Sequence, residues 1–133
     1  MLLWRGVELF RLTTDLSPYR IPLERACARD VYGLTYANLE AGMASEEYLA
    51  IANGRFCVVV EKAPVRDGNG LCLVALGGEG LEDWLEPLLA MLEGLARDQG
   101  CRSILMRGRL GWQRPLTKHG WAVHAVVLQK QID

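Results

Sequence analysis

Two arginines beside a tryptophan form the segment of this sequence whose side chains could most readily bind an anion. The run Gly-Arg-Leu-Gly-Trp-Gln-Arg holds Arg109, Trp112 and Arg114 close together. Such a group can bind a phosphate, a nucleic-acid backbone or an acidic protein surface. The alternative is a structural corner in which the tryptophan packs on a sheet and the arginines pair with nearby acids. The structural corner is favoured, since a nucleic-acid module typically has a wider basic surface and more exposed aromatic rings. If the segment does bind, we predict that the three residues contact a partner protein.

The cysteines show no spacing that is typical of a metal site. Cys27, Cys57, Cys72 and Cys101 are widely separated, and each lies in or beside an apolar run. Cysteines of this kind usually pack as small buried side chains in a reducing compartment. We therefore expect neither a metal ion nor disulfides.

Size and charge set broad limits on the function. The chain has 133 residues, half of them hydrophobic, and a formal net charge of −1. This predicts one domain, residues 1–133, that buries its own core. A nearly neutral chain has no general attraction for nucleic acid or for an anionic membrane. Arg5, Glu8 and Arg11 interrupt the first apolar residues, so we expect neither a secretory signal nor membrane insertion, and we expect a cytoplasmic protein.

Apolar periodicity predicts the elements that must position these residues. The predicted order is a strand Val7–Thr13, a helix from Ile21 to about Tyr36, a short helix from Ser45, a hairpin of strands Arg55–Lys62 and Leu71–Leu76, a long helix Leu81–Gln99, a strand Ser103–Arg107, a short helix Trp112–His119 and a last strand Trp121–Ile132. This order is typical of an α/β fold with one mixed sheet flanked by helices.

The order of elements and one motif resemble a known superfamily. The pattern Gly-Arg-x-Gly-Trp-x-Arg-x-Leu-x-x-x-Gly-Trp runs from Gly108 to Trp121 and leads into the last predicted strand. In these features the chain resembles the Gcn5-related N-acetyltransferases (GNAT), and its last third looks most like their small bacteriophage-encoded relatives. The resemblance implies a single GNAT-like domain, an α/β fold with a mixed sheet flanked by helices.

The resemblance also implies a place for a cofactor. Active members have a loop of the type Gln/Arg-x-x-Gly-x-Gly/Ala before the long helix, and its amides hold the pyrophosphate of coenzyme A. The matching residues are Gly77, Gly78 and Gly80, which would bind acetyl-CoA if the chain uses it. No arginine or glutamine stands at the first position of the pattern. Acidic residues stand where the pyrophosphate would lie, and they either repel it or simply complement the helix dipole: Glu79, Glu82, Asp83 and Glu86.

Acetyl transfer to an amine needs a base and a proton donor. Glu61 and His124 are the candidate bases, although Glu61 is expected near a hairpin tip in contact with solvent and His124 in a strand. Active relatives often place a tyrosine near the last short helix as the donor, whereas no tyrosine follows Tyr48 here. The donor role is therefore vacant, and no catalytic residue is assigned.

These departures favour a non-catalytic protein of a bacteriophage or prophage. The resemblance implies a virion or assembly component that binds a phage or host protein, or copies of itself, in the host cytoplasm or in the virion, and that needs no cofactor. One alternative is a small N-acetyltransferase that uses acetyl-CoA and an unidentified amine acceptor; another is a phage inhibitor of a host enzyme. An open cleft between the strands at Leu73 and Ile104 would favour the enzyme. A cleft filled by Trp84 or Trp112 would favour the assembly role.

Overall fold

A twisted sheet organises the residues that this computed structural model describes, which are 3–4, 7–78, 81–107 and 112–132. Its six strands lie in sequence order: β1 (Leu3–Trp4), β2 (Val7–Thr13), β3 (Tyr48–Ala52), β4 (Phe56–Val65), β5 (Gly68–Gly78) and β6 (Ser103–Met106). The helices are a 3₁₀ turn at Ser17–Tyr19, α1 (Arg20–Cys27), α2 (Tyr36–Ala44), α3 (Leu81–Asp98) and α4 (Gln113–Thr117). No helix in these ranges is both long and apolar enough to cross a membrane.

The sheet is mixed in direction, as the sequence predicts. Neighbouring strands from β1 to β5 are antiparallel, whereas β6 runs parallel to β5. A parallel neighbour requires a crossover connection, and α3 provides it. The prediction of an α/β fold with a mixed sheet flanked by helices is therefore confirmed.

The two faces of the sheet hold separate apolar cores. On one face, Val58 and Val60 of β4 pack with α3, and on the other face Cys57 and Val59 pack with α1 and α2. All four side chains are fully buried. Because successive residues of a strand point to opposite faces, this apolar run serves both cores at once. Full burial of each valine stabilises the fold by about 1.5–3 kcal/mol.

The helix predicted from Ile21 to about Tyr36 is shorter than the sequence indicates, because α1 ends at Cys27. The Asp30 carboxylate accepts hydrogen bonds from the amides of Tyr32 and Leu34, both at 3.0 Å, and so holds the chain in a turn. Thr35 then caps α2, since its hydroxyl accepts from the Asn38 amide while the Asn38 side chain accepts from the Thr35 amide. This capping box is a start signal that the periodicity argument missed.

The short helix predicted from Ser45 is wrong. Ser45 is the C-cap of α2, and Glu46 adopts a φ of 64°, which breaks the helix before β3 begins. Ala50 is buried on the α1/α2 face and Ile51 on the α3 face. β3 pairs with both β2 and β4, so pairing with neighbours on both sides overrides the local helix signal.

The last strand, predicted over Trp121–Ile132, is also wrong as a paired element. These residues, which we call the arm, form no strand among the described residues, and 122–132 are exposed. The arm leaves α4 through a backbone hydrogen bond from the Trp121 amide to the Leu116 carbonyl. The arm therefore has the apolar pattern of a strand, but it pairs with no other strand among the described residues.

Candidate active site

The pairing between the two parallel strands, β5 and β6, covers only part of β5. β5 and β6 pair from Gly70 opposite Ser103 to Leu73 opposite Met106. β5 continues to Gly78, and on the β6 side its residues 74–78 have no strand partner in the described ranges. Ile104 stands opposite Leu71, and the strand pairing ends at the Leu73–Met106 pair, so the cleft expected between Leu73 and Ile104 stays a prediction.

An irregularity in β5 lies directly after its last pair with β6. Val59 of β4 stands opposite Ala75, but Val60 stands opposite Leu73, so Val74 has no residue opposite it on β4. Such a bulge bends a strand and turns its backbone groups in a new direction. The bulge and the unpaired side of β5 together leave backbone groups of this strand without a strand partner in the described ranges.

Gly77 and Gly78 are glycine for reasons of protein packing. A Cβ on Gly77 would lie 2.6 Å from the carbonyl carbon and oxygen of Pro22, in the first turns of α1. A Cβ on Gly78 would collide with the side chain and Cα of Phe56, and Gly78 has a φ of +154°. Both glycines let neighbouring segments approach β5 closely. Their predicted role in binding acetyl-CoA stays a prediction. The third residue of the predicted loop, Gly80, lies outside the described residues.

Two parts of acetyl-CoA, its thioester and its pyrophosphate, can be compared with this region, and the backbone of β5 suits the thioester better than the start of α3 suits the pyrophosphate. The backbone of β5 beyond Leu73 can offer hydrogen-bond donors to a carbonyl oxygen beside the strand. At the pyrophosphate end, α3 begins at Leu81, shortly after β5 ends at Gly78, and Asp83 and Glu86 are exposed. Glu79, which was predicted to repel the pyrophosphate, lies outside the described residues.

Glu61 lies in a row of side chains that crosses four strands. Tyr48, Glu61, Cys72 and Leu105 stand opposite one another on β3, β4, β5 and β6, on the face covered by α1 and α2. The hairpin continues past Glu61 to Val65 and Gly68, so Glu61 is not at its tip as expected. No hydrogen bond or ion pair involves the Glu61 carboxylate in the part of the chain that the structure describes.

The electrostatics of this row follow from burial and from Glu61. Burial first, and then the negative charge of Glu61, raise the pKa of the Tyr48 phenol above its ordinary value of 10.0. The same two causes raise the pKa of the Cys72 thiol above 9.0. Both groups therefore keep their protons at neutral pH. Sequence reasoning missed this row because it placed Tyr48 in a helix.

Arg107 forms a second group at the end of β6. Its Nη2 lies 3.4 Å from Oδ1 of Asp30, and its guanidinium carbon lies 4.7 Å from the centre of the Tyr32 ring. The segment between α1 and α2 is thus held against the end of β6, next to the last β5–β6 pair. Arg107 also lowers the pKa values of Tyr48 and Cys72, opposing the larger effects that raise them.

The other predicted site residues do not join this site. His124 is exposed on the arm. Trp112 is half-buried as the residue that precedes α4, and Arg114 is exposed, while Arg109 lies outside the described residues. Their partner-binding role stays a prediction. Within the described ranges, no three His, Cys, Asp or Glu side chains lie close enough to hold a metal ion.

Comparisons with known proteins identify the fold. No protein-family model matches the sequence, and no curated protein sequence matches it. Among solved structures, a GCN5-related N-acetyltransferase of Ralstonia eutropha is 15% identical, with a TM-score of 0.66 over 92% of this chain and 97% of that one. A Trypanosoma brucei acetyltransferase is also 15% identical, with a TM-score of 0.65 over 92% of this chain and 99% of that one. A predicted acetyltransferase of Clostridium acetobutylicum, solved with acetyl-CoA, is 11% identical with a TM-score of 0.63, over 92% of this chain and 94% of that one.

The chain therefore has the GNAT fold. These neighbours contradict the expectation of a non-catalytic phage component and favour the acetyltransferase alternative. The bacteriophage subfamily and the place in a virion find no support in the comparisons. The expectation that no cofactor is needed is not confirmed either, because one of these neighbours was solved with acetyl-CoA.

Proposed function

We propose that this protein is a small N-acetyltransferase that uses acetyl-CoA and an amine acceptor. The observation that carries the proposal is that β5 continues past the last pair with β6, Leu73–Met106, with a bulge at Val74 directly after it. The GNAT fold supports it, since a neighbour with this fold was solved with acetyl-CoA.

The unpaired side of β5 would hold the acetyl group. When bound, acetyl-CoA supplies an acetyl thioester, which a neutral amine attacks with release of coenzyme A. The pairing of residues 75–78 with β4 fixes this part of β5, so the backbone amides that point away from β4 need no rearrangement to donate to the thioester oxygen. Preorganised donors of this kind contribute about 10²–10³-fold to rates of acyl transfer.

Glu61 is the candidate base in this proposal. An amine that attacks a carbonyl must lose a proton, and a carboxylate within reach, directly or through one water molecule, can accept it. Tyr48 and Cys72 keep their protons because their pKa values are raised, so Glu61 is the charged member of the row. The absence of a hydrogen-bond or ion-pair partner among the described residues leaves its carboxylate available.

The Tyr32–Arg107 contact would form one side of the acceptor entrance. The Tyr32 side chain is 64% exposed although the ring lies against the guanidinium of Arg107. This contact is at the end of β6 and on the face that carries Glu61. An amine that enters from this side approaches the base and the mouth of the cleft together.

A kinetic comparison of two glutamate variants tests the role of Glu61. Release of coenzyme A thiol is measured with acetyl-CoA and a panel of primary amines, first for the parent and then for Glu61→Gln. The matched control is Glu93→Gln, which changes an exposed glutamate on α3. We expect Glu61→Gln to lower kcat by about 10²–10⁴-fold and Glu93→Gln to leave it unchanged. Equal rates for both variants would remove Glu61 from the mechanism.

A further inference from the structure

Two opposite charges lie on one face of the sheet, Glu61 on β4 and Arg107 directly after β6. Glu61 belongs to the row of side chains that crosses four strands, and Leu105 is the member of that row on β6. Arg107 follows Leu105 at the next alternate position, and alternate residues of an extended chain point to the same face. Its contacts with Asp30 and Tyr32, in the segment between α1 and α2, agree with this placement.

The two charged groups lie close to each other without forming an ion pair. Glu61 and Arg107 are separated by two strand spacings across the sheet and by two residues along it, which puts their Cα atoms about 12 Å apart. No ion pair joins them in the described ranges. Burial is the main cause of the raised pKa of Cys72; after it, Glu61 raises this pKa and Arg107 lowers it, so both charges act at the same position of the row.

The guanidinium of Arg107 keeps hydrogen-bond donors for a ligand. Within the part of the chain that the structure describes, its one polar contact joins Nη2 to Oδ1 of Asp30, at 3.4 Å, and the side chain is 56% exposed. Oδ2 of Asp30 accepts from the amides of Tyr32 and Leu34, so this carboxylate is itself fixed. Arginine offers five N–H donors in a planar fork that matches a carboxylate or a phosphate. Asp30 therefore orients a cation that can still bind a second anion.

Helix α2 covers the opposite end of the row. A Cβ on Gly42 would collide with the ring of Tyr48, so the backbone of α2 lies directly on this ring. Tyr48 and Glu61 are both half-buried, whereas Arg107 is exposed. A small molecule therefore reaches Glu61 more readily from the Arg107 end, and it passes the guanidinium on the way.

We propose that the acceptor is a small zwitterion, whose amine lies at Glu61 while a carboxylate or phosphate group of the same molecule binds Arg107. The inference deepens the proposed function and rests on it, because it names the class of amine that this site accepts. An α-amino acid has both groups, and its side chain would lie beside the ring of Tyr32, which is 64% exposed next to Arg107. An amine without the anionic group would leave the guanidinium in contact with water.

The acetyl transfer is balanced with this acceptor. The amine nitrogen forms a bond to the acetyl carbon, the carbon–sulfur bond of the thioester breaks, and coenzyme A leaves as the thiolate. Glu61 takes the proton that the amine loses. Arg107 stays outside the bonds that change, so its role is to bind and orient the acceptor.

Matched pairs of acceptors test the role of Arg107. Phenylalanine is compared with phenethylamine, and phosphoethanolamine with ethanolamine, so the members of a pair differ only in the anionic group. The measured quantity is the ratio of kcat/KM within a pair, because its change from parent to variant cancels the different basicities of the amines. Arg107→Gln should lower this ratio by about 10–100-fold, as expected for lost hydrogen bonds between charged groups. Arg107→Lys keeps the charge and should preserve most of the preference.

The matched control is Arg20→Gln. Arg20 also pairs with one carboxylate, that of Glu24 at 3.2 Å, and its guanidinium carbon lies 4.9 Å from the centre of the Tyr36 ring. It is exposed at the start of α1 and lies outside the row. This variant loses the same charge and the same kind of ring contact, and it should leave the ratio unchanged.

Binding measured without turnover separates this inference from the proposed enzyme. NMR titrations of the parent with both pairs, in the absence of acetyl-CoA, should show binding of the zwitterion about tenfold tighter or more in at least one pair, lost in Arg107→Gln. The pair with this preference identifies the anionic group as a carboxylate or a phosphate. If the preference is found and no amine is acetylated, the proposed enzyme is wrong and the zwitterion site is still supported. Equal affinities within both pairs, or a preference that falls no further in Arg107→Gln than in Arg20→Gln, would overturn the inference.

Discussion

Replacing Gly77 by alanine distinguishes a packing role from a cofactor role at the end of β5. The new Cβ would lie 2.6 Å from the carbonyl carbon and oxygen of Pro22 and 2.8 Å from the amide nitrogen of Leu23. All three are backbone atoms near the start of α1, so no side-chain rotation relieves the contact. Leu23 is fully buried on the face that α1 covers. Movement of α1 therefore disturbs this core.

The size of the effect follows from these distances. Ordinary carbon contacts are about 3.5–4.0 Å, so α1 must move away by about 1 Å. Forcing one extra methyl group into a packed site costs about 1–3 kcal/mol of the free energy of unfolding. For a domain of this size that corresponds to a fall in Tm on the order of 5–10 °C.

Guanidinium denaturation and acetyl-CoA titration of Gly77→Ala together decide between the two roles. We expect the free energy of unfolding to fall by about 1–3 kcal/mol. At low temperature, where the variant is still folded, its acetyl-CoA dissociation constant should be close to that of the parent. Unchanged stability together with lost affinity would refute the packing argument. That result would return Gly77 to the cofactor loop inferred from the family resemblance.

Two further predictions concern stability. Asp30→Ala removes the acceptor for the Tyr32 and Leu34 amides and should lower the free energy of unfolding by about 1–3 kcal/mol, measured by chemical denaturation. The control is Asp98→Ala, which changes an exposed aspartate, and an equal loss of stability in the two variants would contradict this prediction. Burial raises the pKa of the Cys57 thiol from 9.0 to about 12. The folded state therefore holds this proton more tightly, and the stability it supplies is lost as the pH rises from about 9 to 12. Between pH 8 and 10 the parent should lose about 1.4 kcal/mol more than Cys57→Ala, and equal losses would exclude the buried thiol as the cause.

The elements with the longest apolar patterns were predictable from the sequence. β4 contains the run from Cys57 to Val60, which is apolar on both faces, and α3 repeats its apolar residues over 18 positions. β3 was not predictable in this way. Tyr48–Ala52 follows a serine and two glutamates that locally favour a helix start, and only pairing with β2 and β4 makes it a strand.

The candidate site was less predictable than the fold because it depends on register. Glu61 was a candidate from its type, but its place beside Tyr48 and Cys72 requires the pairing of three strands. The contacts of the two glycines were not predictable from the sequence either. The sequence shows that Gly77 and Gly78 allow a close approach, but only the structure shows that Pro22 and Phe56 make it.

Calorimetric titration with acetyl-CoA tests the central claim, that this chain is an acetyl-CoA-dependent enzyme, most directly. We expect a dissociation constant in the micromolar range and, at ligand concentrations 100 times that constant, a stabilisation of about 2.7 kcal/mol against unfolding. Free acetate at the same concentration is the control, and it should produce neither heat nor stabilisation. No heat and no change in Tm with millimolar acetyl-CoA would contradict the claim and leave the GNAT fold without its cofactor.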